Sequence, residues 1–304
     1  MQIKLSQAYS FCQQGQRDNQ EDARFPNVDQ ASDKQRFFVV CDGVGGCDKG
    51  ELASRIVSST FGEALSAFDF NRDFSNADFR MALDKAFDAL DDAAQKGNGD
   101  MATTLTFAAF HAAGATLAHI GDSRIYQIRP RQGIVYRSDD HSLVNQMVHS
   151  GIITPEEAEH HPQRNVITRC MEPVSEDQAR SMATVFQTTD IQKNDYFLLC
   201  TDGVLHCLTD DQLVDLLATD QTDEQKIHLM AQQCEKSSDN NTAYLIRIDD
   251  VTGVEEDEDM QQQTSTTRKN NHAHQILSEI ESVKTTTKRK GCFDWLRKIF
   301  GFNQ

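Results

Sequence analysis

Two aspartates stand directly after apolar runs and directly before glycine: Asp42 in FFVVCDGVGG and Asp202 in FLLCTDGV. An Asp at a strand end projects from a rigid element into the loop layer, and the glycine lets backbone and carbonyl approach a bound ion. Hard divalent cations take such oxygen ligands. A lone Asp-Gly is ordinarily a plain turn, but two after matched apolar strands weaken that reading. A third acid, Asp239 in KSSDNNTAYLI, sits at the start of an apolar run, and GQRDNQEDA places Arg17 four and five residues before Glu21 and Asp22. Taken alone, that arginine and its acids read equally well as a surface ion pair.

The segments that must carry these residues are short and closely spaced. β-branched and aromatic residues predict strands at 36–40, 103–110, 115–120, 124–129, 182–187, 196–200 and 242–248. Residues 115–120 and 124–129 are separated only by Gly121, Asp122 and Ser123, which predicts a tight turn between antiparallel partners. Helical periodicity covers 51–68, 77–95, 142–150, 211–218 and 224–235, with Thr209 as an N-terminal signal for the fourth helix. The irregular alternation points to an α+β fold, mainly antiparallel with helices outside.

The chain has 304 residues, 38% hydrophobic, enough to bury a substantial core. Its formal charge is -17. Residues 250–304 hold eight Lys/Arg against nine Asp/Glu, so -16 of that charge lies in residues 1–249. Such a body repels nucleic acid, whereas its clustered carboxylates suit divalent cations. The eight cysteines form no CxxC pair and several lie in apolar runs, so they read as reduced core residues. With no signal-peptide pattern and no run of about 18 apolar residues, a cytoplasmic protein is expected.

In order, RDNQED, DGVGG, MATTLTFAAF, AHIGDSRIYQIR, SDDHSL, HPQRNVITR, TDGV and SSDNNTA resemble the blocks of the type 2C, or PPM, protein phosphatases, especially their compact bacterial members. Each block is short, but eight in family order over residues 4–248 make a specific match. The resemblance implies an αββα sandwich and hydrolysis of phosphoserine and phosphothreonine in proteins by a water bridging two Mn2+ or Mg2+ ions. Carried over by motif, Asp42 bridges both ions, the Gly43 carbonyl adds a ligand, and Asp202 and Asp239 complete the second ion. Glu21 and Asp22 serve the site directly or through waters, Asp122 with Asp202 holds a third ion, and Arg17 binds the phosphate. Phosphorylated proteins and a cognate Ser/Thr kinase are the implied partners. The Cys-loop-Arg pattern of tyrosine phosphatases is absent. The alternative, a silent phosphatase-like module that binds a phosphoprotein or partner, must explain why a costly set of acids is kept.

Departures from the pattern lie beside the site. Some family members carry a histidine after the first Asp-Gly as proton donor to the leaving group; here it is Val44. His141 of SDDHSL is a candidate replacement, although ordering its own loop is the better reading. Cys47 replaces a common histidine, and ITRCME replaces an ITRALG-like run. Residues 143–169 correspond to the family's flap, expected to move and to shape substrate choice.

The phosphatase domain is expected over 1–249, followed by an acidic and polar linker at 250–275 that cannot bury enough surface to fold. The tail, 276–304, combines Lys288, Arg289, Lys290, Arg297 and Lys298 with Phe293, Trp295, Leu296, Ile299 and Phe302. As a helix it would be amphipathic, suited to an anionic membrane surface, to a partner protein or to the phosphatase body.

Overall fold

A computed structural model of the chain describes residues 1–253 apart from 46, 48, 98–99 and 176–177. Chain order is β1 (Gln2–Leu5), β2 (Ala8–Gln13), β3 (Asp22–Phe25), β4 (Gln30–Ala31), β5 (Phe37–Asp42), α1 (Gly50–Leu65), α2 (Asn76–Gln95), β6 (Leu105–His111), β7 (Gly114–Ile120), β8 (Arg124–Arg129) and β9 (Gly133–Arg137). It continues with α3 (Leu143–His149), α4 (Pro155–Glu159), β10 (Thr184–Thr188), β11 (Tyr196–Cys200), α5 (Asp202–Leu205), α6 (Asp210–Leu217), α7 (Asp223–Cys234) and β12 (Asn241–Thr252). One sheet runs β4-β2-β12-β11-β8-β9, with β1 also on β12; the other runs β10-β7-β6-β5-β3. The paired strands are antiparallel.

Side-chain alternation along β5 explains the layers. Phe37, Val39 and Cys41 pack with α1 and α2 residues such as Val57, Phe61, Phe79 and Phe87. Phe38 and Val40 point the other way, toward Phe197, Leu199, Tyr244 and Ile246 of the second sheet. On that sheet's outer face Leu198, Cys200 and Leu245 meet α6 and α7 through Leu213, Leu217, Ile227 and Met230. The result is the expected αββα sandwich. Strands buried on both faces carry unbroken apolar runs, and each large side chain so buried contributes roughly 1.5–3 kcal/mol. Capping boxes start the helices: Ser75 with Asp78 at α2, Thr154 with Glu157 at α4, Thr209 with Gln212 at α6 and Thr222 with Gln225 at α7.

Two expectations are corrected. β7 and β8 do not pair: β7 lies between β6 and β10, whereas β8 lies between β11 and β9 in the other sheet. Gly121 adopts φ 105°, and the buried Ser123 hydroxyl lies 2.8 Å from that of Thr104. The chain therefore crosses between sheets at Asp122 instead of reversing. Residues 250–252, expected in the linker, continue β12, with Asp250 opposite Lys4 and Val251 opposite Ile3. β1 supplies the partner that composition alone hides. The remaining linker and tail residues, 254–304, lie outside the described residues. Among the described residues no helix is long and apolar enough to cross a membrane.

The candidate metal and phosphate site

The acids converge at the rim where β3 begins and β5 and β11 end. Asp22 and Asp42 are direct partners in the antiparallel register of β3 and β5, so their side chains share one face. Thr201 Oγ1, at the end of β11, donates to Asp22 Oδ2 at 3.0 Å and thereby ties the two sheets together. Asp42 is fixed through its backbone: its N–H donates to Thr104 Oγ1 (3.0 Å), and its carbonyl accepts from Thr104 N and Thr103 Oγ1, both at 2.8 Å. Thr104 also holds Ser123, which joins the Asp122 turn to the same point.

Loops 14–21 and 236–240 close the rim. Asn240 Nδ2 donates to the carbonyls of Gln14 and Asn19 (2.8 and 2.9 Å), and its Oδ1 accepts from Glu21 N at 2.8 Å. Arg17 thereby reaches Asp239, its guanidinium 2.7 Å from Oδ2 while half of the arginine side chain stays exposed. Two glycines are required by close approach. A Cβ on Gly43 would stand 2.5 Å from the backbone of Gly50 and 2.7 Å from the Glu21 carbonyl, and one on Gly203 only 1.9 Å from the Asn240 carbonyl.

The electrostatics single out these acids. Burial first, and then the charges of Asp202 and Asp239, push the Asp22 carboxyl up to about 7, against the hydrogen bond from Thr201. Burial, then Asp22, Asp202, Asp122 and Asp239, push Asp42 well above the usual carboxylate range. Asp122 is raised well above it by burial and then Asp202 and Asp140. Asp202 is raised by burial, with His206 as its largest opposing influence. Glu21 is raised by burial, with Arg17 opposing. Mutually repelling, buried carboxylates are costly to ionise without added positive charge.

These residues fit divalent ions. Asp22 Oδ1 is buried without a hydrogen-bond partner, and ligand atoms of Asp202, His206 and Asp239 lie within 4.8 Å of one another. A set made mainly of carboxylate oxygens, with close backbone approach, suits Mg2+ or Mn2+. The structure thus brings Arg17, Glu21, Asp22, Asp42, Gly43, Asp202 and Asp239 to one rim and sets Asp122 beside Asp42 and Asp202. The sequence argument missed His206 and Asn240. Neither gave a signal: His206 reaches the rim only through the single turn of α5, and Asn240 acts by bonding loops distant in the chain.

His141 belongs to its loop. Its Nδ1 accepts from Gly121 N (3.1 Å), its Nε2 lies 2.9 Å from Thr184 Oγ1, and its ring stacks on His119 at 4.5 Å. Burial, His119 and Arg169 hold it well below the ordinary histidine value, hence neutral. Among the described residues Cys41, Cys170, Cys200 and Cys234 are buried, whereas Cys12, Cys47 and Cys207 are half-buried.

A two-sheet sandwich with an acid-lined rim defines a class of metal-dependent hydrolase, and comparison with known proteins gives the family. The family model described as protein phosphatase 2C matches residues 14–248. Protein phosphatase PhpP of Streptococcus pneumoniae is 33% identical over 189 residues, 60% of this chain and 73% of its own. The crystal structure of the serine/threonine phosphatase Stp1 from Staphylococcus aureus superposes with TM-score 0.68 at 30% identity, covering 83% of this chain and 98% of that one. The catalytic domain of the phosphatase PstP in complex with two manganese ions shares the fold, with TM-score 0.64 at 24% identity over 82% of this chain and 100% of that one. The chain belongs to the protein phosphatase 2C family. It is a serine/threonine phosphoprotein phosphatase of that metal-dependent type.

Proposed function

We propose that the acid rim is the active site, with Asp42, the Gly43 carbonyl, Asp202 and Asp239 as the ligands of two Mn2+ or Mg2+ ions. Glu21 and Asp22 complete that set, and Asp122 with Asp202 holds a third ion. The observation that carries the reading is the pairing of buried Asp22 with half-buried Asp42, neither in an ion pair with a lysine or arginine among the described residues, next to Asp202 and Asp239. When bound, the ions supply a low-pKa water nucleophile and offset charge on the phosphoryl oxygens. Arg17, half exposed at the rim, offers a forked donor to the phosphate dianion. Thr103 and Thr104 fix the Asp42 backbone, and Thr201 holds the Asp22 carboxylate. Val44 gives no proton and His141 is engaged in its own loop, so the leaving alkoxide takes its proton from solvent.

The substrates are phosphoserine and phosphothreonine proteins in the cytoplasm, and the enzyme opposes a Ser/Thr kinase. Segment 143–169 shapes which substrate enters, and the basic, aromatic tail makes contact with an anionic membrane surface or a partner protein. Hydrolysis of p-nitrophenyl phosphate with Mn2+, abolished by chelator and by Asp202→Ala, tests the site. Turnover that survives both would overturn it. Flotation of the full chain with anionic vesicles, compared with the chain truncated at 275, separates the two tail contacts.

A further inference from the structure

His206 is absent from the carboxylate set described above, yet it stands in the same place. Its backbone N–H donates to the Asp202 carbonyl at 2.9 Å, one turn along α5, so the two side chains share a helix face. Its Nε2 lies 3.8 Å from Asp202 Oδ2. That separation is too long for a hydrogen bond. It is shorter than roughly 4.2 Å, the greatest separation of two ligands on one ion with bonds of about 2.1 Å, so a single ion can reach both atoms. Asp239 brings a carboxylate oxygen into the same group, all three ligand atoms within 4.8 Å of one another. Two ligands four residues apart on one helix face are a recurring way to grip a metal.

We propose that His206 is a metal ligand, its Nε2 placing a nitrogen donor beside Asp202 and Asp239, and that this donor biases the site toward a first-row transition ion such as Mn2+ over Mg2+. The inference rests on the reading of Asp202 and Asp239 as ion ligands. Imidazole binds transition ions well, while Mg2+ holds to oxygen and keeps its waters. A carboxylate or amide at position 206 would present oxygen alone; the histidine changes which ion is preferred without altering the rest of the rim. The competing account is a half-exposed histidine that only feels the charge of Asp202 across a helical turn.

Pulsed electron paramagnetic resonance of the full chain loaded with Mn2+ separates the two. The expected result is modulation from a directly bound 14N nucleus, replaced by 15N modulation when histidine alone is isotopically labelled, and lost in His206→Asn. Competition between the two ions should show the Mn2+ over Mg2+ preference falling about tenfold in that variant, the scale of a lost contact at a metal centre. Mn2+ held by the wild-type chain without nitrogen modulation, or modulation unchanged in His206→Asn, would overturn the inference and leave the carboxylate site standing. No Mn2+ bound at all would overturn the carboxylate site together with it. Should the variant fail to fold, the labelled and unlabelled wild-type spectra still decide.

Discussion

Asp195 and Asp202 flank the two ends of the same strand, β11, and their surroundings are opposite. Asp195 is fully buried, and its oxygens accept from Arg129 Nε (2.8 Å), Arg129 Nη2 (2.9 Å), Gln127 Nε2 (2.9 Å) and Gln192 N (3.0 Å). Every feature there is what a buried charge needs to be stable. At the other end Asp202 joins Asp22, Asp42 and Asp122, whose mutual repulsion and burial raise them all. The strand positions both acids equally well. What separates a structural acid from a functional one is whether the protein itself supplies the countercharge.

The largest effect should come from exchanging the fates of these two ends. Asp42→Asn is expected to lower kcat/KM on a phosphopeptide by about 10³-fold or more, on the order of 4 kcal/mol of transition-state stabilisation. The chelated variant should nonetheless melt no lower than the chelated wild type, since an acid that is costly to ionise there is replaced by a neutral amide of the same shape. Asp195→Ala should do the reverse. Removing one partner of a buried pair costs about 3–5 kcal/mol, so the melting temperature should drop by roughly 10 °C while activity per folded molecule stays close to wild type. If Asp195→Ala silences the enzyme without destabilising it, the contrast between the two ends is wrong.

Much of this contrast could be read in advance, and the part that could not has a physical cause. β8 and β11 were legible to the residue because both are almost wholly buried and rich in aliphatic and aromatic side chains. β1, with alternate residues exposed, and the two-residue β4 carry too little pattern. The spacing of Gly121, Asp122 and Ser123 fits a hairpin as well as a crossover; the choice is made by β11, which pairs with β8 from about 70 residues further on. Asp42 and Asp202 announced themselves by glycine and apolar context. His206 did not, because its place depends on α5, a single turn whose existence only the packed loop around Gly203 secures.

The next effect concerns pH. In the metal-free protein Asp22, pushed up to about 7, and Asp42 and Asp122, raised well above the usual carboxylate range, bind protons that the unfolded chain releases near pH 4. The folded state therefore holds more protons through that range, and stability falls as pH rises. Melting of the chelated protein should drop by several degrees between pH 4 and 7, then recover at pH 7 on adding Mn2+, because ligation favours the ionised acids. A chelated protein whose stability rose over the same interval would show that the rim acids are neutralised from within, as Asp195 is.

A smaller effect tests backbone approach. Gly203→Ala places its Cβ against the Asn240 carbonyl, 1.9 Å away before any adjustment. Both sides are backbone, so the two loops must part. Asn240 follows Asp239 and bonds the 14–21 loop, so the displacement reaches Asp239 and Arg17 together. The expected cost is about 2–3 kcal/mol of stability, with roughly a tenfold rise in the Mn2+ concentration for half-maximal activity.

Arg17→Lys should be the mildest. Lysine keeps the positive charge near Asp239 but loses the planar fork, and the site is half exposed, so the ion pair itself adds little to stability. Melting should stay within about 1 °C of wild type, since exposed pairs contribute roughly 0–1 kcal/mol. The loss should appear in turnover of phosphorylated substrate, about tenfold in kcat/KM, one bidentate charge-assisted contact being worth roughly 1.5 kcal/mol more than a single one. If stability falls instead and turnover holds, Arg17 belongs with Arg129, as a partner the protein supplies to quiet a buried acid, and the phosphate must be gripped by other groups.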